Sequence, residues 1–396
     1  MLTFEQFPKF DAFDPKLVLP TIENLDQQCR DTLSHLETSA SPTWDDLVIP
    51  LITLNDNIER QWSIVSHLVG VKNSDELREA HKQAQPIIVR LSTSIEQSEP
   101  IYHKLVSLQS SPDFDSFSSS QKRVIESYLR DARLAGVHLK GESKDRFNTI
   151  EEELAELATK FNDNVLDSTK AYFRSLSPAD LEGLPESLVQ LMAQNAKEKG
   201  VEGHVVTLDH PVYGPFMKHC KKRELRMEVY KQMIQTASDE KFNNSQNVEN
   251  ILALRKEKAQ LIGYDTHAHV SLQSKAISQD PEDVFKFLEN IRSVSFKGAE
   301  REFETLSSFV ETNYESLPDG VKQWDFGFYL ERYKETHLSL KEEALRPYFE
   351  LNSVLEGLFA IVHDCFGVLI SEVSDEKRND LGISVWNDDC IVFEAG

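Results

Sequence analysis

Hydrophobic residues recur at helical spacing along most of this chain, and residues 208–265 show the pattern most clearly. Two helices are predicted there, separated by the run Asn243-Asn244-Ser245, whose side chains can accept hydrogen bonds from the free N–H groups of a helix start. Gly263 predicts the end of the second helix, because glycine adopts the left-handed C-cap conformation at least cost. Neither helix can bury its stripe alone, so the pattern predicts a helical hairpin. The two stripes are Leu225, Val229, Met233, Ile234 and Ala237, and Val248, Ile251, Leu252, Ala259 and Ile262.

The same periodicity predicts a mostly α protein. Residues 1–15 are predicted to form an extended arm with aromatic anchors, and Pro20-Thr21 to start the first helix, with Thr21 as its N-cap. Pro50 is expected to kink the next helix or to mark its true start. The predicted inward faces are Ile22, Leu25, Cys29, Leu33 and Leu36; Phe147, Ile150, Leu154, Leu157, Phe161 and Val165; and Leu355, Leu358, Phe359, Val362 and Phe366.

Only two short stretches favour β structure. Residues 203–208 contain the run HVVTLD, and residues 383–394 alternate with β-branched and aromatic side chains. The second stretch predicts a strand with an unpaired edge at Ile391–Phe393. Residues 175–187 are rich in turn formers, so we expect an N-terminal helical lobe at 1–185. A second helical region would then follow at 186–396.

Composition excludes some classes of function. The 396 residues carry 66 acidic and 43 basic side chains, a formal charge of −23, which argues against binding to nucleic acid. We interpret the excess of acidic side chains as favouring solubility. The alternative interpretation is an acidic cavity that binds cationic substrates. Four widely spaced cysteines fit reduced thiols in a cytoplasmic protein. The sequence shows neither a signal peptide nor a membrane span.

The sequence offers no convincing catalytic constellation. None of the twelve histidines has another histidine four positions away, so a helical zinc motif with an intervening glutamate is absent. His267 and His269 would chelate a metal only on a strand. His219, Cys220 and Glu224, and also His363 and Cys365, are interpreted as structural, because helical spacing keeps their side chains apart. The cluster Glu151, Glu152, Glu153 and Glu156 is interpreted as a solvated helix face.

Five segments in order nevertheless carry a family resemblance. They are residues 133–165, the run HPVYGPFMKHCKKRELRMEVYKQ with the following TASD and ENILALRKEKAQLIGYD, residues 324–335 (WDFGFYLERYKE), residues 345–368, and residues 385–394 (VWNDDCIVFE). Together they resemble the oligopeptidase A and thimet oligopeptidase family of zinc metallopeptidases, and the bacterial oligopeptidase A branch in particular.

The resemblance implies an elongated, almost all-helical protein whose two lobes flank a deep channel for short peptides. It also implies a zinc ion held by a His-Glu-x-x-His helix and a later glutamate. In that chemistry the motif glutamate acts as general base on zinc-bound water. A later loop bearing tyrosine and histidine would stabilise the oxyanion.

The expected position of the zinc helix is after the last segment of resemblance, and the sequence ends at Gly396. No catalytic, cofactor-binding or metal-binding residue can therefore be assigned within the chain. We expect a metalloendopeptidase by family, present as a fragment that is inactive alone and binds no catalytic zinc. Its partners would be short peptides and, if separately encoded, the C-terminal half. The alternative is a non-catalytic helical protein that binds peptides or partners. Exposed channel wall also predicts self-association or poor solubility.

Overall fold

The computed structural model describes residues 7–314 and 317–396. The predicted mostly α fold is confirmed, because helices account for most of the described residues. Residues 1–6 of the predicted N-terminal arm lie outside the described range. In chain order the helices are α1 Val18–Thr38, α2 Ile49–Val71, α3 Asp75–Glu96, α4 Glu99–Gln109, α5 Pro112–Ser116, α6 Ser119–Leu134, α7 Gly141–Ala171, α8 Glu186–Glu198, α9 His210–His219, α10 Arg223–Ile234, α11 Ser245–Leu261, α12 His267–Leu272, α13 Pro281–Asn313, α14 Gln323–Leu338, α15 Glu342–Leu345, α16 Leu351–Phe366 and α17 Asp375–Asp380.

Two small antiparallel sheets accompany the helices. Strand β1 (Arg174–Leu176) pairs with β2 (His204–Val206), which confirms the strand predicted at 203–208. Strand β3 (Ile370–Glu372) pairs with β4 (Phe393–Ala395). In the stretch 383–394 only the last two residues are therefore in a strand. Of the strand predicted at Ile391–Phe393, only Phe393 lies in β4, because Ile391 and Val392 precede the paired residues. Strand β4 pairs with β3 on one side, and no further strand lies along its other edge within the described residues.

The chain folds into two compact units, each assembled from segments distant in sequence. The first contains residues 1–158, 250–281 and 361–396, and the second contains residues 159–249 and 282–360. The division into lobes 1–185 and 186–396, which the turn formers at 175–187 predict, stays a prediction.

The core of the first unit is built from the apolar faces of its N-terminal helices. The face predicted for α1 is confirmed, since all five of its side chains are buried. The helix itself begins earlier than predicted, at Val18, so Thr21 lies inside it and is not its N-cap. Pro50 stands in the first turn of α2, after a π-helical turn at Trp44–Val48, and therefore marks a true helix start.

The N-terminal arm does use an aromatic anchor. The Phe10 ring packs edge-on against Trp386 at 5.2 Å between centroids, and the His67 ring packs edge-on against the same indole at 4.4 Å. The Ser384 hydroxyl donates a hydrogen bond to the carbonyl of Pro8 at 3.2 Å. The first unit thus joins the beginning of the described chain to residues 384–386.

The core of the second unit packs α8, α9 and α10 beside the β1–β2 sheet. A smaller cluster joins α13 to α14 through Leu306, Phe309, Val310, Phe328 and Tyr329. The buried face of α10 lies against α9 and α14. Helix α10 therefore buries its stripe against α9 and α14, and not against α11 as the predicted hairpin requires.

The structure corrects several predicted inward faces. Helix α11 starts and ends as predicted, since Asn243 Oδ1 accepts a hydrogen bond from the Ser245 N–H at 2.8 Å and Gly263 has a φ of 86°. Within the predicted stripes, however, Ile234, Val248 and Leu252 are exposed. The inward face predicted for α16 is also wrong, because no side chain of that helix is buried.

Candidate functional site

The second unit contains a buried ionic cluster that links α10 to α14. The Arg226 side chain on α10 is 1% exposed, and the Asp325 side chain on α14 is fully buried. Arg226 is the largest fully buried side chain among the described residues. Charged side chains are rarely buried to this extent unless they are paired, so the pair marks a place where the fold depends on a specific contact.

The Arg226 guanidinium is almost fully satisfied. It donates to Asp325 Oδ1 at 2.8 Å and to the carbonyl oxygens of Cys220 at 2.8 Å and Trp324 at 3.2 Å. Its plane also lies 4.3 Å from the centroid of the Phe328 ring, a cation–π contact. One side chain therefore holds the end of α9, the body of α10 and the start of α14 together.

Asp325 has a second cationic partner. Arg223 Nη2 donates to Asp325 Oδ2 at 2.7 Å, and Arg223 Nε donates to the same oxygen at 3.0 Å. The backbone N–H of Lys322 donates to Oδ2 at 3.1 Å. Burial acts to raise the pKa of Asp325, but the hydrogen bonds from Arg223 and Arg226 outweigh it and hold the pKa below its ordinary value. The carboxylate is therefore ionised at neutral pH.

A second polar contact joins α9 to α14 in the same unit. Arg332 Nη2 lies 3.3 Å from His219 Nδ1, and its Nε donates to Glu335 Oε2 at 2.7 Å. Burial and the neighbouring Arg332 lower the pKa of His219, so its imidazole is neutral at neutral pH. A neutral ring can accept the hydrogen bond from Arg332 through Nδ1.

These clusters hold helices in place, and their groups are already occupied. Each carboxylate and guanidinium is paired within the unit, which leaves little freedom for acid–base chemistry on a substrate. Over residues 7–314 and 317–396, no group of three or more histidine, cysteine, aspartate or glutamate side chains is arranged to hold a metal ion. We therefore interpret the cluster as the scaffold of a functional region.

The other residues considered from the sequence lie apart from this cluster or serve structural contacts. His267 and His269 lie on α12, a helix and not a strand, and His269 Nδ1 is 2.8 Å from the Thr266 hydroxyl. Cys220 is buried while Glu224 is exposed, which agrees with the structural interpretation of that motif. His363 and Cys365 lie on exposed positions of α16.

The glutamates of α7 are a partial exception to their predicted role. Glu151 forms an ion pair with Lys258, Glu152 lies 3.5 Å from Arg90, and Glu153 lies 3.4 Å from Arg146. The cluster was predicted to be a solvated face. Three of its four members instead contact basic side chains, and Glu151 reaches across to α11.

The first unit contains an acidic pocket near this ion pair. The pocket has a volume of about 220 Å³ and is lined by Glu96, Asp131, Glu151 and Lys258, among others. Desolvation and the charges of Glu151 and Asp131 raise the pKa of Glu96 to about 7. Glu96 therefore changes charge near neutral pH, where an ordinary glutamate is fully ionised.

The second unit contains a more apolar groove. It lies between α13 and α14 and has a volume of about 820 Å³. Phe303 and Phe326 on its walls are 46% and 44% exposed. Arg301 and Glu302 supply its charged lining. Grooves of this size with apolar walls and a few polar groups are typical of ligand and partner sites.

Family comparison matches two separate regions of the chain. The profile of the neurolysin/thimet oligopeptidase N-terminal domain matches residues 22–144. The profile of peptidase family M3 matches residues 216–395, a range that includes Arg223, Arg226, Asp325 and Arg332. The buried ionic cluster thus lies wholly within the peptidase match.

Individual relatives match the chain nearly from end to end. Organellar oligopeptidase A, chloroplastic/mitochondrial, from Arabidopsis thaliana is 38% identical over 97% of this chain and 48% of its own length. Oligopeptidase A from Haemophilus influenzae is 35% identical over 100% of this chain and 57% of its own length. Oligopeptidase A from Escherichia coli is 34% identical, with 100% and 58% covered. The chain therefore spans about half the length of the curated relatives that it matches.

No helix within the described part of the chain combines the length and the apolar character that crossing a bilayer requires.

Proposed function

Because this chain belongs to the oligopeptidase A and thimet oligopeptidase family, peptidase family M3, we propose that it is part of an enzyme that hydrolyses internal bonds of short peptides. Within that enzyme the 396 residues supply the helical framework and apolar surface around the substrate. The metal-binding residues come from polypeptide outside these 396 residues. The proposal includes zinc as the metal and a cytoplasmic location.

One observation carries the proposal. Residues 210–232 and 324–335 are two of the segments that carry the resemblance, and they are about a hundred positions apart. The Arg226–Asp325 pair joins these two segments at 2.8 Å with both side chains buried. Two segments that carry the resemblance are thus joined by the contact that fixes α9, α10 and α14 against one another. This supports a shared framework for a peptidase.

Among the residues that the structure describes, the side chains do not fit a catalytic zinc site. Such a site needs three protein ligands around an open position, commonly two histidines and a carboxylate. The nearest histidine pair, His267 and His269, lies on a helix, where side chains two residues apart diverge. We therefore assign no catalytic step to any residue of this chain. The inactivity of the isolated polypeptide follows as part of the proposal.

Two further features support the remaining parts of the proposal. All four cysteines are free, which fits a reducing compartment. The net charge of −23 opposes binding to nucleic acid.

A reconstitution experiment tests this function. The chain is purified alone, and also after co-expression with the part of Escherichia coli oligopeptidase A that extends beyond the aligned region. Both samples are assayed with a quenched fluorescent peptide of about ten residues, with zinc and then with a chelator. We expect cleavage only in the co-expressed sample, and we expect the chelator to abolish it.

Two results would contradict the proposal. Zinc-dependent cleavage by the chain alone would show that the metal site lies within it. A co-purified complex that binds zinc but cleaves no peptide would remove the peptidase assignment. Saturable peptide binding by that inactive complex would then favour the second candidate function, a peptide-binding protein, which the 820 Å³ groove between α13 and α14 favours.

A further inference from the structure

Helix α13 carries apolar side chains on one side near each of its two ends, and Ser295, Gly298 and Glu302 occupy the same side in the middle. An α-helix has 3.6 residues per turn, so side chains 18 positions apart lie on the same line after five turns, about 27 Å along the axis. Leu288 and Leu306 form one such pair, and Ile291 and Phe309 form another. The two halves of α13 therefore present the same face.

The two halves differ in what covers that face. In the C-terminal half, Leu306 is 4% exposed and Phe309 is 7% exposed, because they pack with Phe328 and Tyr329 of α14. In the N-terminal half, Leu288 is 53% exposed and Ile291 is 50% exposed. A stripe that is buried at one end is thus bare at the other.

The bare part of the stripe is wide. Phe287 and Val294 flank Leu288 and Ile291, and they are 52% and 82% exposed. We call these four side chains the α13 apolar strip. Single exposed apolar residues are ordinary on a protein surface, whereas a contiguous set marks an interaction site.

The opposite side of the same helical turns is polar. Lys286, Asn290, Ser293 and Lys297 lie about half a turn away from Leu288 and Ile291. Lys286 Nζ donates to Asp283 Oδ1 at 3.3 Å, so part of this polar side is already engaged. The helix is amphipathic, and its apolar side is the one that lacks a covering element.

The α13 apolar strip continues towards the groove between α13 and α14. Leu306 lies on the line of Leu288 and lines the groove together with Phe303, Phe326 and Leu330. The groove volume of about 820 Å³ can take several apolar side chains. Strip and groove therefore lie on the same side of α13, with Ser295 between them and Glu302 on the groove wall.

Helix α16 supplies a second bare stripe in the same unit. Leu351, Val354 and Leu358 follow the i, i+3, i+7 spacing that packs one helix against another. They are 63%, 43% and 50% exposed. Helical stripes of this spacing are complementary to the apolar face of a further helix.

We propose that the α13 apolar strip and the α13–α14 groove are a docking surface for a helix. That helix belongs to the part of an M3 peptidase that corresponds to the relatives' sequence outside the span aligned with this chain. The inference rests on the proposed function. It holds whether that region is joined to this chain or separate from it. About half of the relatives' length lies outside the aligned span, so a polypeptide large enough to cover the surface belongs to their architecture.

A second copy of this chain is the competing occupant, and charge disfavours it. Each copy carries a formal charge of −23, so two copies repel one another at low salt. The docking helix would instead place apolar side chains between Leu288 and Ile291 and in the groove.

The test introduces charge on the strip and compares it with a matched change on the polar side. The variant L288E/I291E adds two carboxylates to the apolar strip. The control variant N290E/S293E adds two carboxylates to the same turns of α13 on the opposite side. All four positions are exposed, so both variants should keep the far-UV circular dichroism spectrum and unfolding midpoint of the original chain.

Each tagged variant is co-expressed with the Escherichia coli oligopeptidase A region described above, and the co-purified partner is quantified. We expect the original chain and N290E/S293E to retain the partner equally and L288E/I291E to lose it. A photo-crosslinking residue at position 288 should attach to the partner, and one at position 293 should not. Peptide cleavage is measured on every co-purified complex.

The outcomes separate the two proposals. Equal retention by L288E/I291E, or no retention by the original chain, overturns the docking surface. Crosslinks at position 288 between two copies of this chain overturn it in favour of self-association. Retention by the original chain and loss by L288E/I291E, in complexes that cleave no peptide, supports the docking surface and contradicts the proposed peptidase function.

Discussion

The substitution Asp325→Ala removes the one carboxylate that neutralises the buried guanidinium of Arg226. Arg226 is 1% exposed, so it cannot reach water without opening the contact between α10 and α14. Removing one partner of a buried pair costs about 3–5 kcal/mol, because the other charge is left buried and uncompensated. The second cation, Arg223, is 26% exposed and can turn towards solvent, so it adds little to this cost.

The exposed pair Arg174–Glu228 provides a matched control in the same unit. Its atoms are 3.1 Å apart, and its side chains are 49% and 41% exposed. Glu228→Ala should cost less than about 1 kcal/mol, because water and salt screen exposed ion pairs. The double variant R226M/D325A should cost no more than D325A alone, since the uncompensated charge has been removed.

Two measurements give these free energies. Urea unfolding followed by far-UV circular dichroism reports the loss of stability. Hydrogen exchange of peptides from residues 223–234 and 323–338 reports the local opening of α10 and α14. A loss of about 3 kcal/mol corresponds to roughly a hundredfold faster exchange. Equal effects of D325A and E228A on both measurements would refute the argument that Arg226 and Asp325 hold this part of the fold.

Three further predictions concern single residues. The pKa of Glu96 is raised to about 7 in the folded protein, so the folded state binds more protons than the unfolded chain between about pH 4.5 and 7. Glu96 should therefore contribute a fall of the unfolding midpoint as pH rises through that window, and E96Q should make the fall smaller; an equal fall in E96Q would contradict this. Gly136 has a φ of 75°, and a Cβ there would lie 2.7 Å from a Leu139 carbon, so G136A should lower the melting temperature, whereas G70A in helix α2 should raise it slightly; similar shifts from the two variants would refute the backbone argument. The exposed Cys365 should react with iodoacetamide in the native protein, while the buried Cys29, whose pKa is raised by burial to about 11, should react only after unfolding, as mass spectrometry of the labelled peptides would reveal.

Local periodicity predicted those parts of the fold whose burial is decided within one helix. The face of α1 is correct because all of its residues pack into one core that the N-terminal helices share. The start of α2 beside Pro50 and the end of α11 just before Gly263 are correct for a different reason. Backbone chemistry alone fixes them.

The same reasoning failed where burial depends on what lies beside a helix. The apolar stripes of α16 and of the N-terminal half of α13 are as regular as that of α1, yet none of their side chains is buried. Periodicity identifies an apolar face without identifying what covers it.

The ionic cluster could not be derived from the sequence by spacing. Arg226 and Asp325 are 99 positions apart, and neither belongs to a local motif that predicts a pair. Asn244 is a similar case. It was predicted to serve a helix start, and it also donates a hydrogen bond to the Phe161 carbonyl at 3.0 Å while 6% exposed. Only the family resemblance signalled that these segments matter together.

We propose that this chain forms the framework of an M3 peptidase whose metal-binding residues lie outside these 396 residues. The most direct measurement is the zinc content of the purified chain after incubation with excess zinc and desalting, together with its peptide-cleaving activity. We expect the purified chain to hold no stoichiometric zinc and to cleave no peptide. One tightly bound zinc ion per chain, with cleavage that a chelator abolishes, would contradict it.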